Sequence, residues 1–121
     1  SHKGLEMATY AYGLHVHDGS STAAGAETTV YTSPAGKDSF ILGFLVCNIT
    51  SSTITVDIKI NDASAGTVFV AKSMTINANS TLQFMQESKI VIEGGDYISI
   101  LSNTANCLNV TASVMEITPD S

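Results

Sequence analysis

The sequence predicts an all-β fold, an antiparallel β-sandwich of jelly-roll or immunoglobulin-like type with about eight or nine short strands. Three observations predict it. Apolar and polar residues alternate with a period of two along several segments, the mark of strands with one buried face. Clusters of Gly, Pro, Asn, Asp and Ser recur between those segments, at roughly the 8–12-residue spacing of sandwich turns. No stretch sustains a helical period, and the abundant Val, Ile and Thr disfavour helices because branching at Cβ restricts χ1.

Tyr10, Tyr12, Leu14 and Val16 alternate with small or polar residues and read as the first strand. Residues 18–26 are small and flexible in composition and read as an exposed loop. Residues 28–32 form a short β-rich run, closed by Ser33, Pro34, Ala35 and Gly36 as a turn. Residues 40–47 are apolar throughout apart from Gly43 and predict a central strand packed on both faces. After turn residues 48–52, the run 53–60 places Ile54, Val56, Ile58 and Ile60 on one face and Thr53, Thr55, Asp57 and Lys59 on the other.

Asn61 and Asp62 mark the next turn, and residues 66–71 a further strand. Turn residues 77–80 precede short runs at 81–85 and 89–92. Gly94, Gly95 and Asp96 predict a hairpin or strand corner, because glycine accepts positive φ and aspartate can bond its own backbone. Residues 97–101 follow, then turn residues 103–106. In the closing strand Leu108, Val110, Ala112 and Val114 alternate with Asn109, Thr111 and Ser113.

The 121 residues suit one domain. Residues 1–6 read as a cloning remnant ahead of a start at Met7, which assigns 7–121 to one sandwich domain and leaves His2 without functional weight. No apolar run approaches the ~18–20 residues that span a bilayer, and the segment after Met7 lacks the basic start and apolar centre of a secretory signal. The expectation is synthesis in a cytoplasm, with no membrane partner. A net charge of −6 opposes binding to phosphates, so no nucleic-acid partner is expected. Only 13% of residues are charged, against roughly 25% in ordinary soluble domains. Ser, Thr, Asn and Ala occupy the strand faces instead, a surface weakly protected against association. Subunit contacts are the implication.

Cys47 and Cys107 lie 60 residues apart in apolar strands and form no zinc pattern. They read as two buried thiols, the alternative being a disulfide between neighbouring strands. His15 and His17 are the candidate metal ligands, since residues two apart in a strand share a face. Two imidazoles are too few for a stable site, unless a threefold oligomer completes it. Otherwise they are polar residues on an exposed face, and no metal or cofactor is assigned.

No serine stands in a G-x-S-x-G elbow, and Asp57, Asp62, Glu87, Glu93 and Asp96 are scattered. Catalytic residues are therefore assigned none, and an enzyme is not expected. Asp18, Asp62 and Asp96 lack the spacing of a calcium loop. Tyr10, Tyr12, Tyr31 and Tyr97 are the aromatic candidates for carbohydrate stacking, but their place within strands favours packing. Asn48, Asn79 and Asn109 head glycosylation-type triplets that chance explains in an Asn/Thr-rich chain.

The run Val30-Tyr-Thr-Ser-Pro-Ala-Gly-Lys37, the apolar strand from Phe40 to Asn48, residues 53–60, the segment Ile90-Val-Ile-Glu-Gly-Gly-Asp-Tyr-Ile-Ser-Ile100 and the closing residues 108–116 carry a resemblance. Over roughly residues 30–117 the chain resembles small β-sandwich virion structural proteins of tailed, marine-type bacteriophages. The resemblance implies a non-enzymatic component of a tail, fibre or capsid-decorating layer. It further implies a homo-oligomer, a trimer among its forms, that contacts other virion proteins and assembles in the host cytoplasm. It carries over no catalytic residue. A module binding glycans or a receptor is the rival reading, and a small hydrolase a third.

Overall fold

A computed structural model describes residues 8–18, 24–84 and 90–119, with backbone alone for 8–18, 84 and 119. Nine strands form among the described residues, and no helix. They are β1 (Ala8–Asp18), β2 (Glu27–Thr32), β3 (Asp38–Asn48), β4 (Ile54–Asp62), β5 (Gly66–Ile76), β6 (Thr81–Phe84), β7 (Ile90–Glu93), β8 (Tyr97–Ser102) and β9 (Leu108–Pro119). The first sheet runs β1-β9-β3-β6, with β7 also on β3, and the second runs β2-β8-β4-β5.

Every pairing is antiparallel. β6 covers residues 44–47 of β3 and β7 covers residues 38–41, so the two lie end to end along one strand. Counted together they give eight strands. β1 with β9, β2 with β8, β3 with β6 and β7, and β4 with β5 then nest as one long hairpin rolled on itself, its tip at β4–β5. That is a jelly roll. It settles the choice between the two sandwich types.

The core fills the space between the sheets. Ile54, Val56 and Ile58 of β4 and Ile98 and Ile100 of β8 meet Ile41, Phe44 and Val46 of β3 and Leu108, Val110, Ala112 and Val114 of β9. The alternation in β4 and β9 lies as the sequence predicts. In β3 it changes phase. Ser39 and Ile41 point inward, then Phe44, Val46 and Asn48, because a bulge between Ile41 and Gly43 shifts the register against β9. An inserted residue reverses which face each later side chain occupies. The run 40–47 is therefore not packed on both faces as expected. Leu45 on its outer side is 38% exposed, and Phe40 and Cys47 are half-buried.

Several boundaries differ from the expectation for local reasons. Asn61 and Asp62 continue β4, and the turn falls at 63–65 because Asp62 Oδ1 accepts the N–H groups of Ser64 (2.7 Å) and Ala65 (2.9 Å). Asp18 ends β1 and does not open the loop; the loop's residues 24–26 are described, and 19–23 are not. Residues 85 and 89, the outer ends of two expected strands, lie outside the described residues. β5 continues past Ala71 to Ile76 through two register shifts. Ser73 takes a positive φ of 51° there, and its N–H donates to Asp57 Oδ1 at 2.6 Å.

Gly94–Asp96 makes a corner between sheets, since β7 belongs to the first and β8 to the second. Asp96 Oδ2 accepts the Glu93 N–H at 3.0 Å, and its Oδ1 accepts the Ala63 N–H at 3.1 Å. A Cβ on Gly94 would stand 2.8 Å from the Pro34 carbonyl oxygen, so the corner seats directly on the 33–36 turn. Asn48 pins the opposite end. Its Nδ2 donates to the carbonyls of Ser52, Ile76 and Asn77, and its Oδ1 accepts from Thr50. Both cysteines are free thiols. Cys107 is buried, with its sulfur 3.0 Å from the Thr104 carbonyl, while Cys47 is only half-buried.

Tyr31 ties the two sheets together. Its hydroxyl donates to Glu116 Oε2 at 2.5 Å and lies 2.8 Å from Ser39 Oγ, which in turn meets Ser33 Oγ at 2.7 Å. Burial first, and then the Glu116 carboxylate accepting its proton, push the Tyr31 phenol up to about 12. The raised value favours the neutral phenol in the fold, so its contribution holds below the ordinary pKa and is lost as pH climbs through the folded one.

Two outcomes follow. Ile100→Ala, at a site with no exposure, costs about 2–5 kcal/mol in urea unfolding. Tyr31→Phe lowers stability at neutral pH, and the gap between wild type and variant in urea unfolding stays constant from pH 7 to pH 10 and narrows from there to about pH 12.

Candidate functional site

The outer faces of the two sheets differ in chemistry. On the second sheet a polar network spans four strands. Lys59 of β4 pairs with Glu27 of β2 at 2.9 Å, and Ser99 of β8 donates to the second Glu27 oxygen. Asn61 Nδ2 donates to Ser99 Oγ at 3.0 Å, and its Oδ1 accepts from Thr67 of β5. The bond from Lys59, then that from Ser99, holds the Glu27 carboxyl below its ordinary value. Lys72 sits 3.7 Å from Asp57, and the ammonium groups of Lys72 and Lys59 lie 4.8 Å and 5.7 Å from the centre of the Phe69 ring. Glu27, Asp57, Lys59 and Lys72 on this face each have a partner of opposite sign. The face is finished as a solvent surface.

The first sheet is built otherwise. Its strands contain no Lys or Arg at any position. Tyr12 of β1, Met115 of β9, Phe40 of β3 and Val91 of β7 occupy one paired row across the sheet. Val91 is 51% exposed, and Met115 and Phe40 are half-buried. The row of Val16, Thr111, Leu45 and Gln83 lies parallel to it. Acids stand only toward the ends, with Asp38 opposite Glu93 at one and Asp18 opposite Asn109 at the other. Glu116 is engaged by Tyr31. Among the described residues nothing packs over Val91 and Leu45, and exposed apolar groups gathered on one sheet face are a chemistry suited to contact.

A second apolar feature lies on β5, the edge strand of the second sheet. Val68, Phe69 and Val70 are consecutive and all exposed. Three exposed apolar neighbours on a sheet edge are unusual unless something uses them. The register shifts beside them bend that edge, which limits strand-on-strand pairing.

The residues nominated from sequence fall in several places. His15 and His17 pair in register with Ala112 and Val110, and their side chains lie outside the described residues. Among the described residues no group of three or more His, Cys, Asp or Glu could hold a metal ion. Asp57, Asp62 and Asp96 spend their carboxylates on backbone N–H groups. The N–H groups of Ala65 and Ser64 hold Asp62 below its ordinary value. Glu93 is exposed beside the corner, and Glu87 lies outside the described residues. Tyr31 is buried and Tyr97 half-buried; Tyr10 and Tyr12 lie on β1, where only the backbone is described. The glycosylation-type Asn48 is fully buried.

Two features escaped the sequence reading. The outer face of the first sheet was hidden because an apolar run reads alike whether one side or both are covered. The Glu27–Lys59–Ser99 network joins residues far apart in the chain, and only the pairing of β2, β8 and β4 brings them together.

A scan against protein-family models finds no match, and a search of curated proteins finds none either. Solved structures do match. A chain of the Bacillus endospore appendages, described as a family of disulfide-linked pili, superposes with a TM-score of 0.53 at 15% identity, covering 95% of this chain and 90% of that one. A chain of the T13 particle of infectious bursal disease virus gives 0.51 at 11% identity. It covers 91% of this chain, which spans 31% of the viral one. A chain of the acid-stable capsid of Helicobacter pylori bacteriophage KHP30 gives 0.50 at 9% identity, covering 94% of this chain and 95% of the phage one. At such identities the likeness is one of fold, and the fold of this chain is the jelly roll found in subunits of viral capsids and of pili.

Proposed function

We propose that the chain is a non-enzymatic structural subunit that works by contact with further copies of itself, as a bacteriophage virion protein does. One observation carries the reading: the first sheet, whose strands hold no Lys or Arg, presents exposed apolar residues on its outer face, while the second sets Lys59 and Lys72 beside acids toward solvent. A monomer has no use for such a division, whereas an assembling subunit needs one dry face and one wet one. The jelly roll shared with capsid and pilus chains supports the same role.

Residues 7–121 form the single assembling domain in this reading, and tail, fibre and capsid decoration are the positions it suits, with a trimer among its states. Other virion proteins are its further partners, and it needs neither nucleic acid nor membrane. His15 and His17 are given no metal. The rival reading, a glycan- or receptor-binding module, draws little from the aromatic residues: Tyr31 is buried with its hydroxyl committed, and the ring of Phe69 is occupied by two lysines.

The expected result is self-association at micromolar concentration. Sedimentation velocity and light scattering give a mass that is a multiple of the 12.6 kDa chain. A species of one chain's mass at every concentration up to several hundred micromolar overturns the proposal.

A further inference from the structure

We infer that the outer face of the first sheet is the copy-to-copy interface, and that it packs on the same face of a second chain around a twofold axis. The inference rests on the proposed self-association and assigns it a surface. Size is the first argument. The face is four strand rows wide at about 4.8 Å each, and β3 and β9 run eleven and twelve residues at about 3.3 Å each. That gives roughly 700 Å² in the plane of the sheet, close to the ~800 Å² per partner of a stable interface. The three exposed residues on β5 make a far smaller patch.

Charge is the second. The chain carries a net −6, so two copies repel unless they meet through a neutral surface. The central rows of the first sheet are neutral: Met115, Phe40 and Val91 in one, Ser113 and Gly43 in the next, and Thr111, Leu45 and Gln83 in the third. Asp38 and Glu93 stand in an end row, where an interface rim keeps its charges wet.

Chemical matching selects the partner surface. Setting this apolar face on the second sheet of another copy would strip water from Glu27, Asp57, Lys59 and Lys72 and return only hydrocarbon. Set on its own kind, it removes Val91, Leu45, Phe40 and Met115 from water on both sides. Sheets stacked face to face lie about 10 Å apart with side chains interleaved. The two sandwiches become a four-layer stack, closed by symmetry in the manner of an isologous pair.

Two variants and one thiol test this. Leu45→Lys combined with Val91→Lys puts two charges in the central rows, and Val68→Lys makes the same change on the β5 edge. Both positions on the face are exposed, so the fold should survive, and circular dichroism melts at the wild-type temperature are the expected check. Sedimentation equilibrium shows self-association weakened at least about a hundredfold in the double variant and unchanged in Val68→Lys. Association at wild-type strength in the double variant overturns the inference, while leaving the oligomer reading intact. A wild type that never associates overturns both.

Cys47 gives a reading on the unmodified protein. It lies on the outer face, paired with the exposed Asn109 and Thr81, and Cys107 is buried. Its reaction with a maleimide slows at least tenfold as the concentration rises through the association range. A rate independent of concentration across that range overturns the inference.

Discussion

The first sheet depends on β3. This one strand holds β9 on one side and both β6 and β7 on the other. Its bulge between Ile41 and Gly43 lets a single strand serve two stretches of core, with Ile41 inward before it and Phe44 and Val46 inward after it. Without the phase change, an unbroken alternation through Ile41 would turn Phe44 and Val46 outward and bury Leu45 in their place. The bulge therefore decides which of eight neighbouring residues form the core and which form the outer face. The corner at Gly94–Asp96 and the Tyr31 hydroxyl then hold the second sheet against it at one end, and Asn48 ties loops and strand ends at the other.

The two sheets divide the chemistry of the molecule. In a chain with so few charges, their placement is the informative quantity. Lys59 and Lys72 both fall on the second sheet, each beside an acid and both over Phe69. The strands of the first sheet have no Lys or Arg, and their acids that are not bonded elsewhere stand toward the ends. Strand faces are cheap places to write such a division, because a period of two separates core from surface at every other residue. The same backbone thus carries a sealed core, a solvent face and a dry face.

Much of this was legible in the sequence. The alternation at 53–60 and 108–114 identified β4 and β9 with the correct inner faces, since each has polar residues at every other position to show which side is wet. The turn residues at 33–36 and 94–96 were recognisable because Gly and Asp do chemistry there that other residues do not. β3 was recognised as a strand but misread in its packing, for apolarity on both sides marks burial and does not say by what. The second half of β5 was missed because Lys72 and Ser73 interrupt its pattern at a bulge held by Asp57, a residue sixteen positions earlier. His15 and His17 sit opposite core residues of β9, a placement that their own spacing could not reveal.

The distribution of lysine also governs how the protein meets proteases and reagents. Trypsin cuts after Lys or Arg, and the chain has no Arg. β7, β8 and β9 consequently fall within one uninterrupted stretch from residue 90 to the C-terminus, and β3 within another from 38 to 59. Amine-reactive labels and cross-linkers find lysines on the strands of the second sheet and none within the strands of the first, which Lys37 and Lys89 only flank in sequence, immediately before β3 and β7. A lysine footprint taken on any complex of this protein would therefore sample the solvent face directly and the dry one only from the margins of its strands, as at Lys37 beside Thr118. Reagents for thiols and carboxylates, which meet Cys47, Asp38 and Glu93, are the ones that report from that side.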